Sequence, residues 1–181
     1  TKELLDYAIN IVVEKAQMEH HFGHMYASLC RKMATHMMEG IDEEGKAGKT
    51  FKRQLVIRCQ TEFEINMVEV LAELEKIEDE DERAEKILLA RKRYMGHMKF
   101  VGELFNVGLL SANIMHACVK GLLGSAHKSK GEKADLGEPD GEKIQCLCTL
   151  MTTIGYKLED AAIANKEKKP EQEKDMKMYV S

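Results

Sequence analysis

The chain reads as a succession of apolar stripes at helical spacing. Leu5, Ala8, Ile9, Val12, Val13 and Ala16 recur every three to four positions and predict a first helix over about residues 3–17. Phe22, Met25, Tyr26, Leu29, Cys30, Met33 and Met37 form a second stripe over about 22–38, with Gly23 and Gly40 as boundary signals. A glycine-rich, charged loop, 40–49, follows. Thr50 suits the N-cap of a third helix, along which Leu55, Cys59, Phe63, Met67, Val70, Leu71 and Leu74 keep one register. The acidic run 78–82 interrupts this pattern and reads as a solvated turn or a helix end.

A fourth helix over about 83–107 carries Ile87, Tyr94, Met98, Val101 and Phe105 on one face and Phe100 and Leu104 on another. Apolar groups on two faces predict a helix packed between neighbours. Gly108 is read as its end. Ser111 is read as the N-cap of a fifth helix carrying Ile114, Met115, Cys118, Val119, Leu122 and Leu123. The stretch 124–141 is rich in Gly, Lys, Asp and Ser and is expected to be a flexible loop. Asp140 is read as the cap of a sixth helix with Ile144, Leu147, Cys148, Met151 and Ile154, and a short last helix is expected over 171–180. Pro139 and Pro170 are the two prolines, so no breaker interrupts 1–138. Helix pairs recur roughly every 40 residues, the period of HEAT repeats. The expected fold is an all-α HEAT-repeat α-solenoid of stacked antiparallel helix pairs, one domain over 1–181. A globular helical bundle would share the same pattern.

Composition narrows the function classes. Apolar residues make up 44% and charged residues 32% of the 181, which suits a chain that is neither disordered nor embedded in a membrane. No apolar run approaches the roughly 20 residues of a membrane span, and no signal-peptide pattern opens the sequence. Five cysteines, Cys30, Cys59, Cys118, Cys146 and Cys148, sit mostly in apolar helical stretches, as buried reduced thiols do in a cytoplasmic protein. The net charge of -4 argues against binding nucleic acid over the whole surface, but not against a local basic patch.

Candidate chemistry is sparse. Glu19, His20, His21 and His24 are the nearest approach to a metal site, but the HExxH spacing is absent and Gly23 interrupts the helix, so a polar helix junction is the plainer reading. Cys146 and Cys148 are two positions apart, where helical side chains diverge. No nucleophile elbow, phosphate loop or dinucleotide fingerprint occurs, and neither an enzyme nor a cofactor is expected. Basic residues gather at Lys52, Arg53 and Arg58, at Arg91, Lys92 and Arg93 with Lys99, and at Lys128, Lys130 and Lys133. Each group is a possible phosphate contact for RNA and equally a solvated face.

Several runs together resemble one family. Arg58-Cys59-Gln60-Thr61-Glu62-Phe63-Glu64 and Gly96-His97-Met98-Lys99-Phe100-Val101-Gly102-Glu103-Leu104-Phe105 resemble segments of the middle domain of eukaryotic translation initiation factor 4G. Val13 to Ala16, Met25 to Ala27, Ile114 to His116, Leu147-Cys148 and Thr152 to Gly155 fit in the same order, so the resemblance covers about residues 4–160. It implies a HEAT-repeat scaffold that binds the DEAD-box RNA helicase initiation factor 4A, favours its RNA-bound state and contacts mRNA and other initiation factors. Phe100 and Leu147 match positions where the family is sensitive for helicase binding, through contact or through the core. Lys99 and Glu103 are polar neighbours that can reach a partner. The family's first helix has no counterpart here, and the match fades after Asp160. Related HEAT adaptors in nuclear cap-binding, splicing and nonsense-mediated decay are the rival readings, as is a direct RNA-binding module. Activator and repressor are not distinguished.

Overall fold

The computed structural model describes residues 2–36, 47–123 and 141–167. Among these, every regular element is helical: α1 (Lys2–Met18), a 3-10 turn (His20–Phe22), α2 (Gly23–His36), α3 (Ala47–Phe63), α4 (Met67–Leu74), α5 (Glu80–Asn106), α6 (Ala112–Leu122) and α7 (Gly141–Glu167). None of these helices is long and apolar enough to cross a membrane. Residues 124–140 of the expected loop 124–141, residues 40–46 of the expected loop 40–49, the Asp140 cap, Met37 and the helix over 171–180 lie outside the described residues, whereas Gly141 opens α7 and 47–49 belong to α3.

Local chemistry sets several boundaries. The acidic run is the start of α5: Asp79 accepts a hydrogen bond of 2.7 Å from the Glu82 amide, and Glu80, Asp81 and Glu82 face the positive end of the helix dipole. Gly108, at φ 80°, ends α5 in a Schellman motif. Its amide donates to the Phe105 carbonyl, and the Leu109 amide donates to the Leu104 carbonyl. Ser111 stands at the N-cap of α6, although its side chain makes no capping bond.

The third expected helix is two helices. Its apolar register runs unbroken from Leu55 to Leu74, but Asn66 caps a new helix by accepting from the Val68 amide, and this separates α3 from α4. Thr50 lies inside α3, which begins at Ala47. Two stripes are also rotated. In α2 the core face is Gly23, Ala27 and Cys30 with Tyr26 and Met33 against it, whereas Met25 and Leu29, and Phe22 in the turn before the helix, are exposed. In α7 it is Cys146, Leu150 and Ile154, whereas Ile144, Cys148 and Met151 are exposed. Small or polar residues share those core faces, so the widest apolar stripe was not the inner one.

Cross-element contacts give the topology. Glu62 meets Arg93 while the Cys59 carbonyl meets His97, so α3 and α5 are antiparallel. Asn10 meets Arg58 and Gln17 meets Glu62, so α1 and α3 are parallel. Arg91 meets Glu142, Met95 meets Thr149 and Asn106 meets the Thr153 carbonyl, so α5 and α7 are parallel. Antiparallel partners within a pair and parallel equivalents in successive pairs are the register of a helical solenoid. The pairs are α1–α2, α3–α5 and α6–α7, with α4 laid on α5. Among the described residues, no extensive packing joins the first pair to the third. α5 is therefore the middle of the stack, and its Met98, Phe100, Val101, Leu104 and Phe105 are all buried.

Candidate functional site

The junction of α1, α3 and α5 carries the densest polar chemistry of the described residues. It forms because Gly96 has no side chain and lets the last turn of α1 lie directly on α5. Gln17 is thereby fully buried, and each of its polar groups is used. Its amide donates to Glu62 Oε2 at 3.0 Å and lies 3.2 Å from His97 Nδ1, and its oxygen accepts from Arg93 Nε at 2.9 Å. His97 Nε2 lies 3.0 Å from the Cys59 carbonyl, which can only accept. The proton therefore sits on Nε2, and Nδ1 is the bare acceptor that Gln17 needs. Burial lowers the His97 pKa to about 4, so the ring is neutral near pH 7.

Glu62 balances opposing effects. Burial raises its pKa, but hydrogen bonds from Arg58 and Gln17 and the charge of Arg93 outweigh this and hold it below the usual carboxylate range. Arg58 pairs with Glu62 and donates to Asn10 Oδ1 at 2.8 Å. The network ties the first pair of helices to the second. It presents no nucleophile beside a base, and no group of three or more metal-ligating side chains converges among the described residues.

The run 96–105 separates into inner and outer residues. Phe100 is 0% exposed, so its side chain can influence a partner only through the packing of α5. Gly102 lets α7 approach, with Thr153 and Ile154 against its backbone. Lys99 and Glu103 lie on the partly exposed side of the helix, and Leu147 is half-buried against the core.

The basic candidates divide in the same way. Arg58 and Arg93 belong to the buried network, and Arg91 pairs with Glu142 of α7 at 2.7 Å, so these three join helix pairs. Lys52 and Arg53 are exposed on α3, and Lys92 is exposed on α5. Lys128, Lys130 and Lys133 lie outside the described residues. What the sequence did not reveal is that the 3-10 turn brings His20 to Lys92 and Lys99. Burial, His21, Lys99 and Lys92 together lower the His20 pKa. An open groove of about 410 Å³ lies between α3 and α6, lined by Val56, Phe63, Leu110 and Ile114 among others.

Comparison with known proteins fits this architecture. The MIF4G domain model matches residues 1–180. The chain is 33% identical over 169 residues to eukaryotic translation initiation factor 4 gamma of Schizosaccharomyces pombe, covering 86% of the chain and 11% of that protein. It is 36% identical over 163 residues to initiation factor 4G of Arabidopsis thaliana, covering 86% and 9%. It is 33% identical over 170 residues to initiation factor 4 gamma 2 of Homo sapiens, covering 88% and 18%. The chain thus spans less than a fifth of the length of these relatives. With a family model matched over nearly its whole length and an all-helical stack beneath it, the chain belongs to the MIF4G domain family.

Proposed function

We propose that the chain is a translation-initiation scaffold, acting in the cytoplasm, that binds the DEAD-box RNA helicase initiation factor 4A and stimulates its RNA-dependent ATPase without chemistry of its own. mRNA and other initiation factors are its further partners. The observation that carries this reading is the similarity of most of the chain to initiation factors 4 gamma from a fungus, a plant and a mammal. The division of the 96–105 run supports it: the apolar residues build the stack, and Lys99 and Glu103 are left at the surface for a partner. A scaffold of this kind stimulates by binding one arrangement of the helicase lobes better than the other, so a rigid stack suits it.

The test is the RNA-dependent ATPase rate of initiation factor 4A with and without the chain. Stimulation is expected, and Lys99→Glu with Glu103→Lys should abolish it while helicity is unchanged. Binding with inhibition would make the chain a repressor. Absence of binding at high micromolar concentration would overturn the reading.

A further inference from the structure

Lys92 and Lys99 stand four positions before and three after Gly96, on one stripe of α5. Gly96 is where the end of α1 touches α5, so the 3-10 turn that follows α1 is seated on that stripe. The turn brings three rings. Those of His20 and His21 lie 4.3 Å apart at 36°, and Phe22 beside them is 52% exposed. Neither lysine has an ion-pair or hydrogen-bond partner among the described residues. Of the neighbouring carboxylates, Glu19 is neutralised by Lys15 and also accepts from Tyr26, whereas Glu103, beside Gly23, accepts among the described residues only from the neutral Asn106 amide and keeps one negative charge near Lys99. In a chain of net charge -4, two lysines against one carboxylate thus leave an excess of positive charge beside the exposed rings of His21 and Phe22 and the half-buried ring of His20.

We propose that His20, His21, Phe22, Lys92 and Lys99 form a contact site for single-stranded RNA. The lysines, about 10.5 Å apart along the helix axis, take separate phosphates, and the rings of the turn stack on unpaired bases. An acidic polypeptide would engage the lysines but leave the rings without a role, whereas every base offers a π-face. The site itself contains no arginine fork to read base edges, and Arg58, Arg91 and Arg93 are held by Glu62 and Glu142, so little sequence preference is expected. The inference deepens the RNA side of the proposed function. It is tested without helicase, so its failure and the failure of the helicase reading are separate results.

The experiment is fluorescence anisotropy of a labelled oligouridylate titrated with the chain over a range of salt concentrations. Lys92→Ala with Lys99→Ala should weaken binding and reduce the steepness of log K against log salt by about 1.4, at roughly 0.7 per phosphate contact on a single strand. Phe22→Ala should weaken binding about tenfold with little change in that slope, as loss of one stacked base does. Lys76→Ala, just beyond α4 with its ammonium paired to Glu73, should bind like the parent chain. All of these side chains lie at the surface, and thermal melts verify that the variants remain folded. Full affinity in the double lysine variant would overturn the site. So would polyglutamate competing as well as RNA while Phe22→Ala has no effect, because the patch would then read charge alone.

Discussion

A methyl group placed on Gly96 would lie 2.0 Å from the carbonyl oxygen of Gln17. A glycine inside a long helix costs about 0.5–1 kcal/mol relative to alanine, and here that cost permits backbone to touch backbone. The contact in turn buries the Gln17 side chain where Glu62, Arg93 and His97 need it.

Three glycine-to-alanine substitutions should therefore rank by contact rather than by propensity. Gly96→Ala should destabilise by about 3 kcal/mol or more, since a rigid carbonyl must move. Gly102→Ala meets the Thr153 methyl at 2.8 Å, a contact with side chain rather than backbone, and should cost about 1–3 kcal/mol as α7 gives way. Gly155 has open space around it, so Gly155→Ala should stabilise by about 0.5–1 kcal/mol. Urea unfolding of the three variants measures the order, and a stabilised Gly96→Ala would contradict the close contact.

Acid should weaken the fold through His97. Its folded pKa of about 4 lies below the unfolded value of 6.5, so from pH 6.5 down to 4 the unfolded chain takes a proton that the folded chain refuses. The stability that the neutral ring provides is fully present above pH 6.5 and falls by about 3 kcal/mol across that window, from about 1.4 kcal/mol per pH unit. His97→Gln should remove this slope between pH 6.5 and 5, even if it lowers stability overall. Glu62, whose folded pKa is lowered, adds a separate loss that begins only below its unfolded value of 4.5. Thermal melts from pH 8 to 5, parent against variant, measure the difference.

Phe100→Ala should cost about 3–5 kcal/mol, as loss of a fully buried aromatic ring does. Any fall in helicase binding by this variant should follow the loss of fold and recover at lower temperature. Lys99→Glu should alter binding at constant melting temperature. Circular dichroism alongside binding separates the two, and a Phe100→Ala variant that melts like the parent while losing affinity would contradict its place in the core.

The thiols should divide by burial. Desolvation pushes the Cys30 thiol up to about 12 and the Cys118 thiol to about 11, and raises Cys59 as well, so their nucleophilic thiolates are scarce in the fold. Cys146 is buried and Cys148 is exposed. A thiol-reactive dye should label Cys148 promptly, and the other four only after denaturant is added. Rapid labelling of Cys59 in the native chain would contradict the packing of α3 on α5.

Much of the helical framework was legible along the chain. The start of α5 at an acidic run, its end at Gly108 and its two apolar faces all follow from local chemistry and periodicity. The break at Asn66 was hidden, because Phe63 and Met67 keep one apolar spacing across it. The inner faces of α2 and α7 were misjudged because Gly23, Ala27 and Cys146 bury as well as larger residues do when a neighbour fits closely. Of the candidate site, the sequence pointed to Lys92 and Lys99 as basic and to Phe100 as sensitive. It did not show that Arg58, Arg91 and Arg93 already have carboxylate partners.

By itself, then, the amino-acid order determined a string of amphipathic helices, their approximate lengths and the family they belong to, because periodicity, caps and short motifs act over a few residues. Tertiary structure alone decided which charges are paired and which are left over. Glu62 finds Arg93 across 31 positions and His20 comes to Lys92 and Lys99 across more than 70, and such meetings depend on how helices stack rather than on any local pattern.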